Sequence, residues 1–268
     1  MIIFFLAFPS TFACPIHQKR LVSLAPDLTE ILYALELENQ IVAVSDYSDF
    51  PKEAQKKPRI GSFISPNLEK ILSFKPDIVF ASVEATPPQL IEALKQNKIE
   101  IFSFSANRED DIYQTIETIG EKFKREKRGA EIVQAMKSEI ESIKRRLKIK
   151  RKKNKPNVLI EVEEFPMIVA GRNTLLARAI ELAGGINAAN SYTDYPKLQL
   201  EAVYQLKPEL IIIPITQREG KKRGKSHWKG MKNLKGIYEI DAALISRASP
   251  RFSEGVKRLA RIFDSAGY

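Results

Sequence analysis

Short aliphatic runs alternate along this chain with stretches whose apolar positions recur every three or four residues. Arg20 to Leu24, Ile41 to Val44, Ile78 to Ala81, Val158 to Val162 and Leu210 to Ile213 are the aliphatic runs. Continuous apolar runs of this length suit parallel strands covered on both faces. Between them, Pro26-Asp27-Leu28-Thr29-Glu30 opens a helix running to about Leu37, and a second helix is predicted from Thr174 to Ala183. Gly184-Gly185 closes the second, where glycine supplies a positive φ. Strand and helix therefore alternate on both sides of the chain's midpoint, which predicts an α/β fold with mostly parallel sheets.

The pattern repeats. Asn67 to Phe80 and Gln199 to Ile212 share Leu-Glu, an apolar helical spacing, Lys-Pro and an acid, then an aliphatic run, at a constant offset of 132 residues. Each copy reads as a short helix that ends at Lys-Pro and feeds a buried strand, because the residue before proline disfavours α geometry. Two related α/β lobes follow, at about 19–128 and 156–268, with residues 129–155 between them. Ile132, Met136, Ile140, Ile143 and Leu147 lie four, four, three and four apart in that connector. From Ala130 to Lys155 there is neither Gly nor Pro, so one helix of roughly 39 Å is predicted. Lobes joined by a single stiff helix enclose a cleft, a preferred place for a ligand, and tilt only slightly when it fills.

Charge sharpens this picture. The chain of 268 residues carries 43 Lys+Arg against 33 Asp+Glu, a net of +10. Residues 122–155 hold 15 basic and four acidic residues, so this segment alone accounts for +11 and the remainder is close to neutral. The segment reads first as a solvated helix face. Attraction to anionic lipid is the functional alternative. Nucleic acid fits less well, since no aromatic residues interleave with the charges to stack bases. One Cys (Cys14) excludes an internal disulfide and any cysteine-built metal site. With only His17 and His227, a histidine-rich metal site is not expected either.

Residues 1–18 read as an export segment: the apolar run Ile2 to Phe8 leads through Ser10-Thr11-Phe12-Ala13 to Cys14. Cleavage after Ala13 would leave Cys14 as a terminal residue able to carry lipid, so a periplasmic or exported chain is expected, anchored at most through Cys14. A buried first strand is the structural alternative for this run.

Several motifs, in order, resemble one family. They are Ser23-Leu24-Ala25-Pro26 with Leu28 to Leu32, Val44 to Pro51, Gly61 to Glu69, Lys75-Pro76-Asp77, Glu181 to Asn187, and Arg247-Ala248-Ser249-Pro250-Arg251. Together they resemble the helical-backbone substrate-binding proteins of ABC importers, and within them the cobalamin receptors most. The resemblance implies a non-enzymatic receptor, monomeric, that holds cobalamin or a related corrinoid between its lobes and delivers it to a permease dimer. Haem and ferric siderophores are the alternative ligands. By the same resemblance Tyr47, Phe63, Tyr195 and Arg247 contact the ligand, while Glu69 and Glu201 meet arginines on the permease. Independently, Glu69 and Glu201 are the acids shared by the two repeat copies, and two pseudo-equivalent acids match the two equivalent sockets of a homodimer.

An intracellular nucleotide-dependent enzyme is the competing class. Gly220 to Ser226 follows the strand Leu210 to Ile213 and looks like a phosphate loop, but it is one residue short between its glycines. It is expected to be a basic surface loop, with Trp228 packing its end onto the lobe.

Overall fold

The computed structural model describes residues 18–62, 65–83, 85–150, 154–216 and 224–268. The export segment with Cys14 and His17, the aromatic Phe63, and the glycine-rich loop up to Arg223 lie outside the described residues. The amino-terminal half runs β1 (Leu21–Ser23), α1 (Pro26–Ala34), β2 (Ile41–Val44), α2 (Leu68–Ser73), β3 (Ile78–Ser82), α3 (Pro88–Gln96), β4 (Glu100–Phe104) and α4 (Glu109–Lys122). Helix α5 (Glu126–Lys150) then crosses to β5 (Asn157–Glu163), β6 (Ile168–Val169), α6 (Leu175–Leu182) and β7 (Ile186–Asn187). The chain finishes with α7 (Leu200–Gln205), β8 (Leu210–Ile215), β9 (Gly236–Asp241), α8 (Ala242–Ser246) and α9 (Phe252–Ser265).

The first sheet is parallel throughout, in the order β2-β1-β3-β4. The second runs β6-β5-β8-β9, with β7 also pairing β5; only β6 is antiparallel. This is the two-lobed α/β architecture expected from the alternating pattern. The repeat survives in three dimensions. Shifting α2 and β3 by 132 positions lands the helix on α7 and the start of the strand on β8. Even the backbone repeats, since Lys75 and Lys207, the lysines of the two Lys-Pro pairs, both take positive φ (45° and 48°).

Strand alternation divides the core. In β3, Ile78 and Phe80 face one way and Val79 and Ala81 the other; in β8, Leu210 and Ile212 oppose Ile211 and Ile213. The first set of each joins one continuous core that spans both lobes through Ile132, Val133, Met136, Ile140 and Ile143 of α5. The second set builds a separate outer layer on each lobe. The apolar stripe read from the connector is thus the seam that fuses two lobes. The connecting helix begins earlier than Ala130 and includes Gly129. There, an added Cβ would meet the Ile116 carbonyl at 3.4 Å, an ordinary contact, and the glycine does not break the helix.

Candidate functional site

All four strands of the first sheet, and β5, β8 and β9 of the second, end on the side where the two lobes face each other. Open α/β sheets bind ligands beyond the carboxyl ends of their strands. Six of the eight exposed large apolar residues among those described lie there, Ile149 and Ile186 being the exceptions. Tyr47 and Phe50 follow β2, Val83 follows β3, Phe165 follows β5, and Ile215 ends β8. Tyr195 reaches the same edge through the bridge from Lys197 to Ile168 at the start of β6. Apolar side chains left uncovered together on one edge mark a contact surface.

The loop after β2 is held from below by buried hydroxyls. Thr29 Oγ1 donates to Ser23 Oγ at 2.9 Å and lies 2.8 Å from Ser48 Oγ, which lies 3.0 Å from Ser45 Oγ. All four residues are fully buried. Arg59 donates to the Ser45 and Ser48 carbonyls at 2.7 and 2.9 Å, fixing the loop that carries Tyr47 and Asp49. A rigid network of this kind preorganises the side chains above it.

On that platform an ion cluster joins the lobes. Arg247, from the second lobe, donates to Glu30 Oε1 at 2.9 Å, to Asp49 Oδ1 at 2.6 Å and to the Tyr47 carbonyl at 3.1 Å. Arg251 grips the same Glu30 through bonds of 2.9 and 2.6 Å, and its guanidinium stacks on the Phe50 ring at 3.8 Å. Glu30 is 3% exposed, so this carboxylate sits between two guanidiniums with little water. Burial alone would lower the Arg247 pKa; hydrogen bonds and charge from Asp49 and Glu30 outweigh it and hold the guanidinium above its usual value. Nearby, burial pushes the Asp27 carboxyl up to about 6, with Glu30 adding to the shift and the Leu28 amide opposing it. A cleft of about 220 Å³ opens beside the cluster, lined by Asp49, Phe50 and Lys52 from one lobe and Thr216, Asp241 and Arg247 from the other.

A second ion pair spans the lobes elsewhere on this edge. Arg178 of α6 clasps Glu109 of α4 through two bonds of 2.6 Å. Burial would raise Glu109, but Arg178 and the backbone outweigh it and hold the carboxyl below its usual range. A polar cavity of about 590 Å³ adjoins this pair, with Asn107 and Arg108 on one wall and Arg172 and Asp194 on the other.

Of the residues singled out from sequence, Tyr47 and Arg247 are in direct contact. Tyr195 stands next to Asp194 of the polar cavity and is half-exposed. Glu69 and Glu201 occupy equivalent second positions of α2 and α7, both exposed and without an ion-pair partner among the described residues. Sequence reasoning missed the roles of Glu30, Asp49 and Arg251, although each stands inside a quoted motif. The available signal was the spacing of Arg247 and Arg251, four apart. It also missed Glu109 and Arg178, which belong to no motif.

Trp228 packs the end of the basic loop as expected, being 1% exposed. Its Nε1 donates to Glu161 Oε2 at 2.7 Å, and His227 Nε2 lies 3.1 Å from the same oxygen. This buried carboxylate inside β5 was not foreseen, because it occupies a position in an otherwise aliphatic run. Among the described residues no group of His, Cys, Asp or Glu forms a metal-holding cluster, and no described helix is long and apolar enough to cross a membrane.

Comparison with known proteins gives a consistent answer. Residues 21–236 match the model of the periplasmic binding protein family. An uncharacterised ABC transporter substrate-binding lipoprotein of Bacillus subtilis is 32% identical over 248 residues, covering 90% of this chain and 79% of its own length. The vitamin B12-binding protein of Vibrio cholerae is 27% identical over 256 residues, with 94% and 91% covered. The crystal structure of a periplasmic vitamin B12-binding protein of Vibrio cholerae superposes with a TM-score of 0.81 at 25% identity, covering 92% of this chain and 97% of that one. A periplasmic haem-binding protein in complex with two haems shares the fold, with a TM-score of 0.82 at 22% identity and coverage of 92% and 98%. With its two lobes and interlobe cleft, the chain belongs to the periplasmic binding protein family, as a substrate-binding protein of the ABC transporter type.

Proposed function

We propose that the chain captures cobalamin or a related corrinoid between its lobes and delivers it to the permease dimer of an ABC importer. Tyr47, Phe63 and Tyr195 supply aromatic faces for the macrocycle, and Arg247 supplies its polar anchor. Glu69 and Glu201, one per lobe, set the loaded receptor on the permease. Export to the periplasmic or outer face, with any lipid carried by Cys14, fits this role.

The observation that carries the choice of ligand is the state of Arg247. Its guanidinium is already engaged by Glu30, Asp49 and the Tyr47 carbonyl. Haem brings carboxylates, which must displace these acids. A corrinoid brings neutral amides, which accept from arginine and donate to the flanking carboxylates without breaking the cluster. A cleft whose rim mixes Asp49 and Asp241 with Arg247 and Lys52 suits a neutral polyamide better than a dianion.

Equilibrium dialysis against cyanocobalamin, haemin and a ferric siderophore tests this directly, since all three absorb in the visible. Cobalamin is expected to bind tighter than about 10 μM, or about −6.8 kcal/mol, and tighter than haemin. Haemin or siderophore binding with cobalamin weaker than that limit overturns the assignment. The double change Glu69→Ala, Glu201→Ala is expected to leave ligand affinity intact and to abolish transport; unchanged transport defeats the docking role.

A further inference from the structure

The stacked pair of Phe50 and Arg251 is a partition. On one side lies the interlobe cleft. On the other lies a second cavity of about 400 Å³. Its floor is apolar, built from Tyr33, Ala34, Phe50, Pro51 and Pro250. Its charged lining is unbalanced, with Glu30, Glu36, Glu38 and Glu53 against Arg251 alone. Glu30 is engaged by Arg247 and Arg251, and Glu36 lies 3.6 Å from Arg128. Glu38 and Glu53 have no ion-pair partner among the described residues. Lys57, beside Glu38, gives its ammonium to the Glu38 and Ile41 carbonyls at 2.7 and 2.8 Å.

We infer that this outer cavity is a second binding site, for a small organic cation with an apolar body. The chemistry is complementary on each count. The Tyr33 ring attracts a cation, and Tyr33, Phe50 and the two prolines cover its hydrocarbon. Unpaired carboxylates at the rim neutralise its charge. A volume of this size holds a small ligand. Burial, followed by Glu38 and Glu53, pushes the Tyr33 phenol above its usual value against the opposing charge of Arg59, so both carboxylates act on the cavity wall. An inorganic divalent cation is a poorer fit. The carboxylates ring an apolar floor, and no metal-holding cluster is present among the described residues. Because Phe50 and Arg251 line both cavities, an occupant of the outer one buttresses the wall of the inner one.

The test uses phenethylammonium as the probe and 2-phenylethanol as its neutral counterpart, titrated into the protein by calorimetry without any macrocyclic ligand. The cation is expected to bind at least about tenfold tighter than the alcohol. Glu38→Gln with Glu53→Gln should cut cation affinity by at least about fivefold and leave alcohol binding unchanged. Glu53 is exposed, so Glu53→Gln alone, with an unchanged melting temperature, serves as the variant that is certain to fold. Equal affinity for cation and alcohol, wild-type cation affinity in both variants, or no saturable cation binding overturns the site. None of these outcomes depends on what the interlobe cleft binds.

Discussion

The clasp between Glu109 and Arg178 gives the most quantitative prediction. It joins helices of different lobes by two bonds of 2.6 Å. The Glu109 side chain is 7% exposed and that of Arg178 is 25% exposed, so the pair lies between a surface and a buried bridge. Exposed pairs contribute about 0.2–1 kcal/mol, and breaking a fully buried pair costs about 3–5 kcal/mol. Arg178 also holds Glu181 at 3.0 Å, which retains part of its partnership when Glu109 is removed. A coupling of about 2 kcal/mol, about 30-fold in the folding equilibrium, is therefore expected from a double-mutant cycle of Glu109→Ala and Arg178→Ala. Urea unfolding provides the four stabilities, and the continuous core across both lobes predicts a single transition. The sign with pH follows from the depressed Glu109 carboxyl. The unfolded chain takes up its proton first, near the ordinary carboxylate value of about 4.3, so the coupling is complete above that pH and declines as the pH falls through the lower folded value. A coupling below about 0.5 kcal/mol at pH 7, or one that grows on acidification, refutes the reasoning.

Three further outcomes are expected. Gly255→Ala should destabilise by about 3 kcal/mol in thermal or urea unfolding, since its Cβ would meet the Leu244 carbonyl oxygen at 2.1 Å, a backbone atom that cannot swing aside. Trp228→Phe should cost about 2–3 kcal/mol, by removing the 2.7 Å bond to buried Glu161 as well as indole packing; a cost under about 0.5 kcal/mol would show that the bond adds nothing. Asp27→Asn should stabilise the protein by about 1 kcal/mol at pH 7, after discounting for its partial exposure, because a carboxyl raised to about 6 weakens the fold as pH rises from about 4 to 6; the variant should lose that slope.

How much of this was legible depends on the range of the interaction. The strands Ile41–Val44 and Leu210–Ile213 are local runs, and the structure places strands there. The 132-residue repeat was visible because helix, Lys-Pro turn and strand are all contiguous. Arg247 was readable as a cleft residue only through a motif. Its acids lie 217 and 198 residues away in the chain, and no periodicity links them. Glu30 sits on a helix face otherwise filled by Leu28, Ile31 and Leu32, where pattern alone suggests an exposed acid; two arginines from the other lobe make its burial tolerable. Glu161 was hidden for the same reason, inside a strand, with its partners supplied by a loop 66 and 67 residues on.

The position of α5 has a consequence for how the molecule turns in an electric field. Helix α4 starts with Glu109 at the interlobe edge and runs back along its lobe to Lys122, so α5 begins on the far side. It ends just before the start of β5, which is also the far side. Glu69 and Glu201, by contrast, open helices that run antiparallel to the strands they feed, which sets both near the interlobe edge. Since residues 122–155 carry +11 on an otherwise neutral body, the protein is an electric dipole with its positive pole at its back. A negatively charged membrane pulls on that pole and turns the proposed docking face outward. In the proposed docking, the pairing of the two glutamates would have to reverse this orientation, and ions that screen fields beyond about 8 Å would lower the opposing torque.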